Sequence, residues 1–151
     1  MIRQPDADVD AWARAVIGAA IEVHSLLGPG LLEGLYEEAL CTEMQIRRIP
    51  FARQLPVPML YKGKEIGHGR LDVLVADSLV VELKAVEALA SVHVAQVLSY
   101  LRATGHQLGL LINFSVTALK QGGIKRVVLT QRSETNPTAV GRANNHTQTI
   151  K

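Results

Sequence analysis

Apolar residues recur at intervals of three and four along the first part of the chain, the period of a half-buried helix. Trp12, Val16, Ala19, Val23 and Leu26 form one such stripe. Asp6, Asp8 and Asp10 precede or open it as N-cap and first-turn carboxylates, which satisfy free amides and complement the helix dipole. The predicted helix runs to about Leu27 and stops at Gly28-Pro29-Gly30, because glycine accepts the left-handed cap and proline cannot continue the helix. A second helix is expected over roughly residues 31–48, with Leu32, Leu35, Ala39 and Ile46 among its inward positions. The short connection predicts that the two helices pack as a hairpin.

From about Arg53 the period changes to two. Leu55, Val57 and Met59 alternate with other residues, and Pro56 and Pro58 each remove a ladder donor, which predicts an edge strand. Lys62-Gly63-Lys64 reads as a turn, followed by a strand from about Glu65 to Val75, a turn at Asp77 and a strand from Leu79 to Lys84. The last is apolar on both faces at its start, as a central strand would be. Helical spacing returns over residues 90–104 through Val94, Val97, Leu98 and Leu101, with Gly105 as the cap. Gln107 to Phe114 is a buried strand, residues 115–121 a turn or short helical piece, and Lys125 to Thr130 a final strand after Gly122-Gly123. From Gln131 the chain turns polar and Ser/Thr/Asn-rich, so residues 1–130 are expected to form one domain and 131–151 a disordered tail. Helix, helix, three-stranded meander, helix, strand, strand predicts an α/β fold built around a mixed sheet.

Composition narrows the function classes. Apolar residues make up 48% of the 151 and charged ones 20%, as in an ordinary globular domain. Cys41 stands alone, which excludes an intrachain disulfide and a cysteine-based zinc site, and its place in a helical pattern predicts a buried, inert thiol. The acidic start does not resemble a secretory signal, and no run approaches the roughly 18 apolar residues of a membrane span, so a soluble, cytoplasmic protein with no membrane partner is expected. The net charge of +2 hides an asymmetry: residues 1–46 carry eight acidic side chains against Arg3 and Arg14, and the remainder carries fourteen basic against six acidic. A basic later part suits a polyanion such as nucleic acid, and it equally describes a solvated surface.

The candidate chemistry lies in Gly69 to Lys84. If Ala76-Asp77-Ser78 is a three-residue hairpin loop, Val75 closes against Leu79 and counting outward sets Asp72 opposite Glu82. Glu82 and Lys84 share a face by the period of two. Like charges directly opposite each other destabilise a sheet, so the carboxylates need a counter-charge. Two readings supply one: a divalent cation such as Mg²⁺, which takes oxygen ligands, or a cross-strand salt bridge from Lys84. His93, Gln96 and Tyr100 fall at i, i+3 and i+7, a polar stripe that a crossover helix would lay beside the carboxylates. Glu33 and Tyr36 sit one turn apart at the start of the second helix. Glu33 is either a first-turn dipole partner or a third carboxylate for the site. For His24, near the same turn, capping or packing is expected. The sequence has no HxxxH or HExxH spacing, Walker loop, GxGxxG after a strand, or nucleophile elbow.

Asp72…Glu82-Leu-Lys84, with an acid on the preceding helix and Gln96-Val-Leu-Ser-Tyr100 on the following one, resembles the PD-(D/E)XK nuclease superfamily and its Gln-x-x-x-Tyr branch. Gly30-Leu-Leu-Glu33-Gly-Leu-Tyr36 resembles the signature of the small prokaryotic GxxExxY family, as do Ile17 to His24 and Gly109 to Phe114. The resemblance covers about residues 9–130. It implies a restriction-endonuclease-like αβββαβ core preceded by a helix hairpin. Asp72 and Glu82 would bind Mg²⁺ (or Mn²⁺) with support from Glu33, Lys84 would assist the attacking water, and Gln96 and Tyr100 would sit alongside. Leu71 stands where the superfamily name has proline. The activity so implied is metal-dependent hydrolysis of DNA or RNA. Two other classes stay open: an inactive module holding nucleic acid or a protein partner, and a homodimeric scaffold.

Overall fold

A computed structural model describes residues 7–130. The expected tail after Gln131, and Asp6 of the expected N-cap, lie outside the described residues. Two helices, α1 (Ala7–Leu27) and α2 (Glu33–Ile46), precede strands β1 (Phe51–Tyr61), β2 (Lys64–Val75) and β3 (Leu79–Lys84). Helix α3 (Ser91–Thr104) then leads to β4 (Leu108–Asn113) and β5 (Ile124–Val128). The sheet order is β1-β2-β3-β4-β5, with β3 and β4 parallel and the other neighbours antiparallel. The parallel pair needs a crossover, and α3 is that crossover. The expected order and edge position of β1 hold. Pro56 and Pro58 have the same parity on β1, so both missing donors fall on one side of that strand.

Side chains divide between two clusters. Val81 and Leu83 of β3 with Leu110 and Ile112 of β4 pack against Val16, Val23, Leu40 and Met44 of the helix hairpin. Val80 and Leu111, from the opposite face, pack against Val97 and Leu101 of α3. Both faces of β3 are therefore dry, which is why its sequence is apolar without alternation.

The second helix is rotated from its expected phase. Leu32, Leu35 and Ile46 are exposed, as is Leu26 of α1, while Tyr36, Leu40, Cys41 and Met44 are buried. Two apolar stripes compete on α2. The buried one was concealed by Glu37, a carboxylate in its midst that Arg53 and Gln54 satisfy at 2.6 and 2.5 Å. With its charge paired and hydrogen-bonded, Glu37 can enter the core and the helix turns accordingly.

The alternation along β1 and β2 slips at one point. Phe51 and Val73 belong to the helix-hairpin cluster, whereas Leu55 and Leu71 belong to the α3 cluster. Gln54, at the slip, has a left-handed φ of 52° and is held there by its bond to Glu37. Across from Gln54 stands Asp72.

Candidate active site

Where β2 leaves β3, two carboxyl groups take the place of the backbone ladder. Val75 pairs with Leu79 as expected from the turn, where Ala76 and Asp77 are both left-handed, and the ladder runs on to Val73 opposite Val81. It stops one pair short of Asp72 and Glu82. There the Asp72 N–H donates to Glu82 Oε1 at 3.1 Å, and the Leu83 N–H donates to Asp72 Oδ2 at 2.9 Å. Two carboxylates projecting side by side would repel. Turned into the gap between the strands, each meets a backbone donor instead.

Glu82 is 3% exposed. Burial, then the neighbouring Asp72 charge, push its carboxyl up to about 9, against the opposing pull of the Asp72 N–H and the Lys84 ammonium. Glu33, the first residue of α2, is also raised, by burial first and then by Asp72, while Lys84 draws it down. Asp72, Glu82, Glu33 and Lys84 thus lie in one electrostatic neighbourhood, although 51 positions separate the ends of the set. Among the described residues no three His, Cys, Asp or Glu side chains stand close enough to enclose an ion. Glu33 senses Asp72 without completing a three-carboxylate cage. Lys84 Nζ donates to Gln96 Oε1 at 3.2 Å, so the expected meeting of strand and crossover helix occurs at these two residues.

The expected polar stripe on α3 does not survive as a unit. Tyr100 is buried in the α3 cluster beside Val97 and Leu101. Its hydroxyl accepts the Arg70 N–H at 3.3 Å, and its ring lies so close to Gly69 that a Cβ there would stand 2.6 Å from Cε1. Tyr100 therefore shapes β2 just upstream of Asp72. The hydroxyl made it look polar, but the ring is large enough to be core. His93 Nδ1 accepts the Ala90 N–H at 2.9 Å and caps α3.

The supporting roles of Tyr36 and Asn113 escaped sequence reasoning. Tyr36 donates to the Gly28 carbonyl at 2.5 Å, accepts the Leu31 N–H at 3.1 Å and stacks on Phe114 with centroids 4.6 Å apart. It ties down the turn that delivers Glu33. Asn113, fully buried, accepts the Val86 and Ser115 N–H groups and donates to the Val86 carbonyl at 2.9 Å. Together with the Phe114 N–H on the Lys84 carbonyl at 2.9 Å, it fixes the backbone on leaving β3. The signal was available: an amide inside an apolar strand has to find partners. His24 packs as expected, its Nε2 lying 3.1 and 2.8 Å from the Phe114 and Val116 carbonyls. Cys41 is buried, and burial pushes its thiol up to about 11, so it is no nucleophile at neutral pH.

A sequence profile described as the PD-(D/E)XK nuclease superfamily matches residues 10–127. No curated protein and no solved structure matches the chain. The two N-terminal helices, mixed five-stranded sheet and crossover helix agree with a restriction-endonuclease-like fold. No helix among the described residues is long and apolar enough to cross a membrane.

Proposed function

The chain belongs to the PD-(D/E)XK nuclease superfamily, and on that premise we propose that it is a Mg²⁺-dependent nuclease, with Mn²⁺ as a substitute, that hydrolyses phosphodiester bonds in DNA or RNA. The observation that carries this reading is the Asp72–Glu82 pair, Glu82 buried and Asp72 half-buried, at the point where β2 and β3 part. Burial and the neighbouring Asp72 carboxylate push the Glu82 carboxyl up to about 9, and a cation placed between the two would favour the charged forms. The donors are all oxygen, which suits a hard divalent ion. In this reading Asp72 and Glu82 hold the metal and Glu33 supports it from the start of α2. When bound, the ion would activate a water and neutralise charge on the phosphoryl oxygens. Lys84, steadied by Gln96, would orient an attacking water and hold positive charge where the transition state accumulates negative charge. Tyr100 is a positioning residue, acting through the backbone of β2. Gly30-x-x-Glu33-x-x-Tyr36 and Gln96-x-x-x-Tyr100 support a place in the GxxExxY family and the Gln-x-x-x-Tyr branch.

Labelled single- and double-stranded DNA and RNA, incubated with Mg²⁺ or Mn²⁺, provide the test. Metal-dependent cleavage that Glu82→Ala and Lys84→Ala abolish is expected, and no such cleavage on any of the four substrates removes the enzyme assignment. One observation favours a second reading, an inactive nuclease-fold module that binds nucleic acid or a protein partner. Both carboxyls accept backbone N–H groups, a structural task that would remain after loss of turnover. Salt-dependent nucleic-acid binding indifferent to metal and to Glu82→Ala is the outcome that reading requires.

A further inference from the structure

The strand that carries Asp72 continues outward as half of a two-stranded ribbon. β3 pairs with β2 only at Val73–Val75, but β1 and β2 stay paired out to Tyr61 opposite Lys64. Eight residues at about 3.3 Å each set Lys64 roughly 26 Å along the strand from Asp72. Helix α3 covers one face of the near part, where Tyr100 meets Gly69. The other face is bare. Pro56 pairs with Arg70 and Pro58 with His68, so the four share a face, and all four are exposed.

We propose that this ribbon is a duplex-DNA grip that leads the double helix to Asp72. It enters a groove with Arg70 toward the phosphates on one face, Lys62 at the turn, and Lys64 on the opposite face, past the register shift between Met59 and Leu60. Charge, shape and edge chemistry select this occupant. Lys62, Lys64 and Arg70 outnumber Glu65 on the ribbon, and among the described residues none of the three is in a salt bridge, unlike Arg47, Arg53 and Arg126. A two-stranded ribbon is an element that the major groove of B-DNA admits. The span from Lys64 to Asp72 matches about seven or eight base pairs at 3.4 Å each. Leu60 and Ile66, each about two-thirds exposed, give the tip apolar surface for sugar and thymine-methyl edges. Stacking on single-stranded bases is disfavoured, because the Lys62 ammonium already lies 5.5 Å from the centroid of the one aromatic ring at the tip, Tyr61. A partner strand adding to the edge is disfavoured by Pro56 and Pro58, which withhold two donors from it.

The inference rests on the nuclease reading for its direction along β2, and its test is separate from cleavage. Fluorescence anisotropy in EDTA compares a labelled 25-base-pair duplex with its single strand, over a range of salt. The proteins are wild type, Lys62→Asn/Lys64→Gln and, as a charge-matched control on exposed lysines away from the ribbon, Lys120→Gln/Lys125→Gln. Lys62→Asn retains a residue that tolerates the left-handed φ of 48° at this turn. Wild type is expected to prefer the duplex. Loss of two phosphate contacts weakens binding about 60-fold at 0.1 M salt and flattens the log–log salt slope by about 1.8. Lys120→Gln/Lys125→Gln retains full binding, and equal weakening there would overturn the proposal. Unchanged affinity and slope in the tip variant, or preference for the single strand, overturns the proposal. Tip-dependent duplex binding by a protein that cleaves nothing upholds the grip and refutes the nuclease.

Discussion

Replacing Glu82 with glutamine should make the metal-free protein more stable at neutral pH while removing a carboxylate proposed to hold the metal. In the unfolded chain this carboxyl releases its proton near the model value of 4.5, but in the fold it keeps the proton to about 9. Between those values the native state binds one more proton than the unfolded state, so stability falls by about 1.4 kcal/mol for each unit of rising pH. The stability is complete below 4.5 and its loss is complete above 9. At pH 7.5 wild type has lost on the order of 4 kcal/mol, and at pH 5 less than about 1 kcal/mol. Glutamine does not titrate. Its amide oxygen can still accept the Asp72 N–H, and its NH₂ can donate to the Asp72 carboxylate where the protonated acid did. The assay is urea denaturation in EDTA at pH 5.0, 6.5 and 7.5. With a slope of about 2 kcal/mol/M, the midpoint of Glu82→Gln should exceed that of wild type by up to about 2 M at pH 7.5 and by little at pH 5. Adding Mg²⁺ should stabilise wild type and leave the variant unmoved. Equal midpoints at pH 7.5, or a gap that fails to close on acidification, would refute the reasoning.

Metal binding that displaces the Glu82 proton should strengthen about tenfold per pH unit through neutrality, measured by calorimetric titration; a flat profile would mean that Glu82 is not a ligand. Lys84→Met should abolish cleavage while leaving metal-induced stabilisation and duplex affinity near wild type, read by thermal melts and anisotropy. Tyr36→Phe retains the stack on Phe114 but loses the bonds to Gly28 and Leu31, and should cost about 1–3 kcal/mol in denaturant unfolding. Gly69→Ala should cost about 1–3 kcal/mol through collision with Tyr100, and combining it with Tyr100→Leu should cost less than the sum of the two single changes.

The helix, strand and turn sequence could be read from period alone because these are local properties. Gly28-Pro29-Gly30, Lys62-Gly63 and Gly105 punctuate the chain where the backbone turns left-handed, and the apolar blocks Leu79–Val81 and Leu110–Ile112 mark β3 and β4, the strands with two buried faces. The register of the Asp77 turn was legible too, since a three-residue loop leaves one pairing. Phase was harder. On α2 and α3 a charged or hydroxylated residue lay within the buried stripe, and a pattern that counts Glu37 and Tyr100 as polar places the stripe elsewhere.

What the sequence determined by itself is the order of elements, the strands that would be central and marginal, and the identity of the chemically capable residues Asp72, Glu82, Lys84, Glu33 and Gln96. Tertiary structure decided how they act on one another. Only the folded chain sets Glu33 within the field of Asp72, gives Lys84 its partner in Gln96, and packs Tyr100 against β2. Only the fold turns the two carboxyls from an opposed pair on a sheet surface into the bridge across a parting ladder. The reason is physical. Periodicity reports which side of a backbone a residue occupies, whereas charge, burial and hydrogen bonding depend on what the rest of the chain brings to that side.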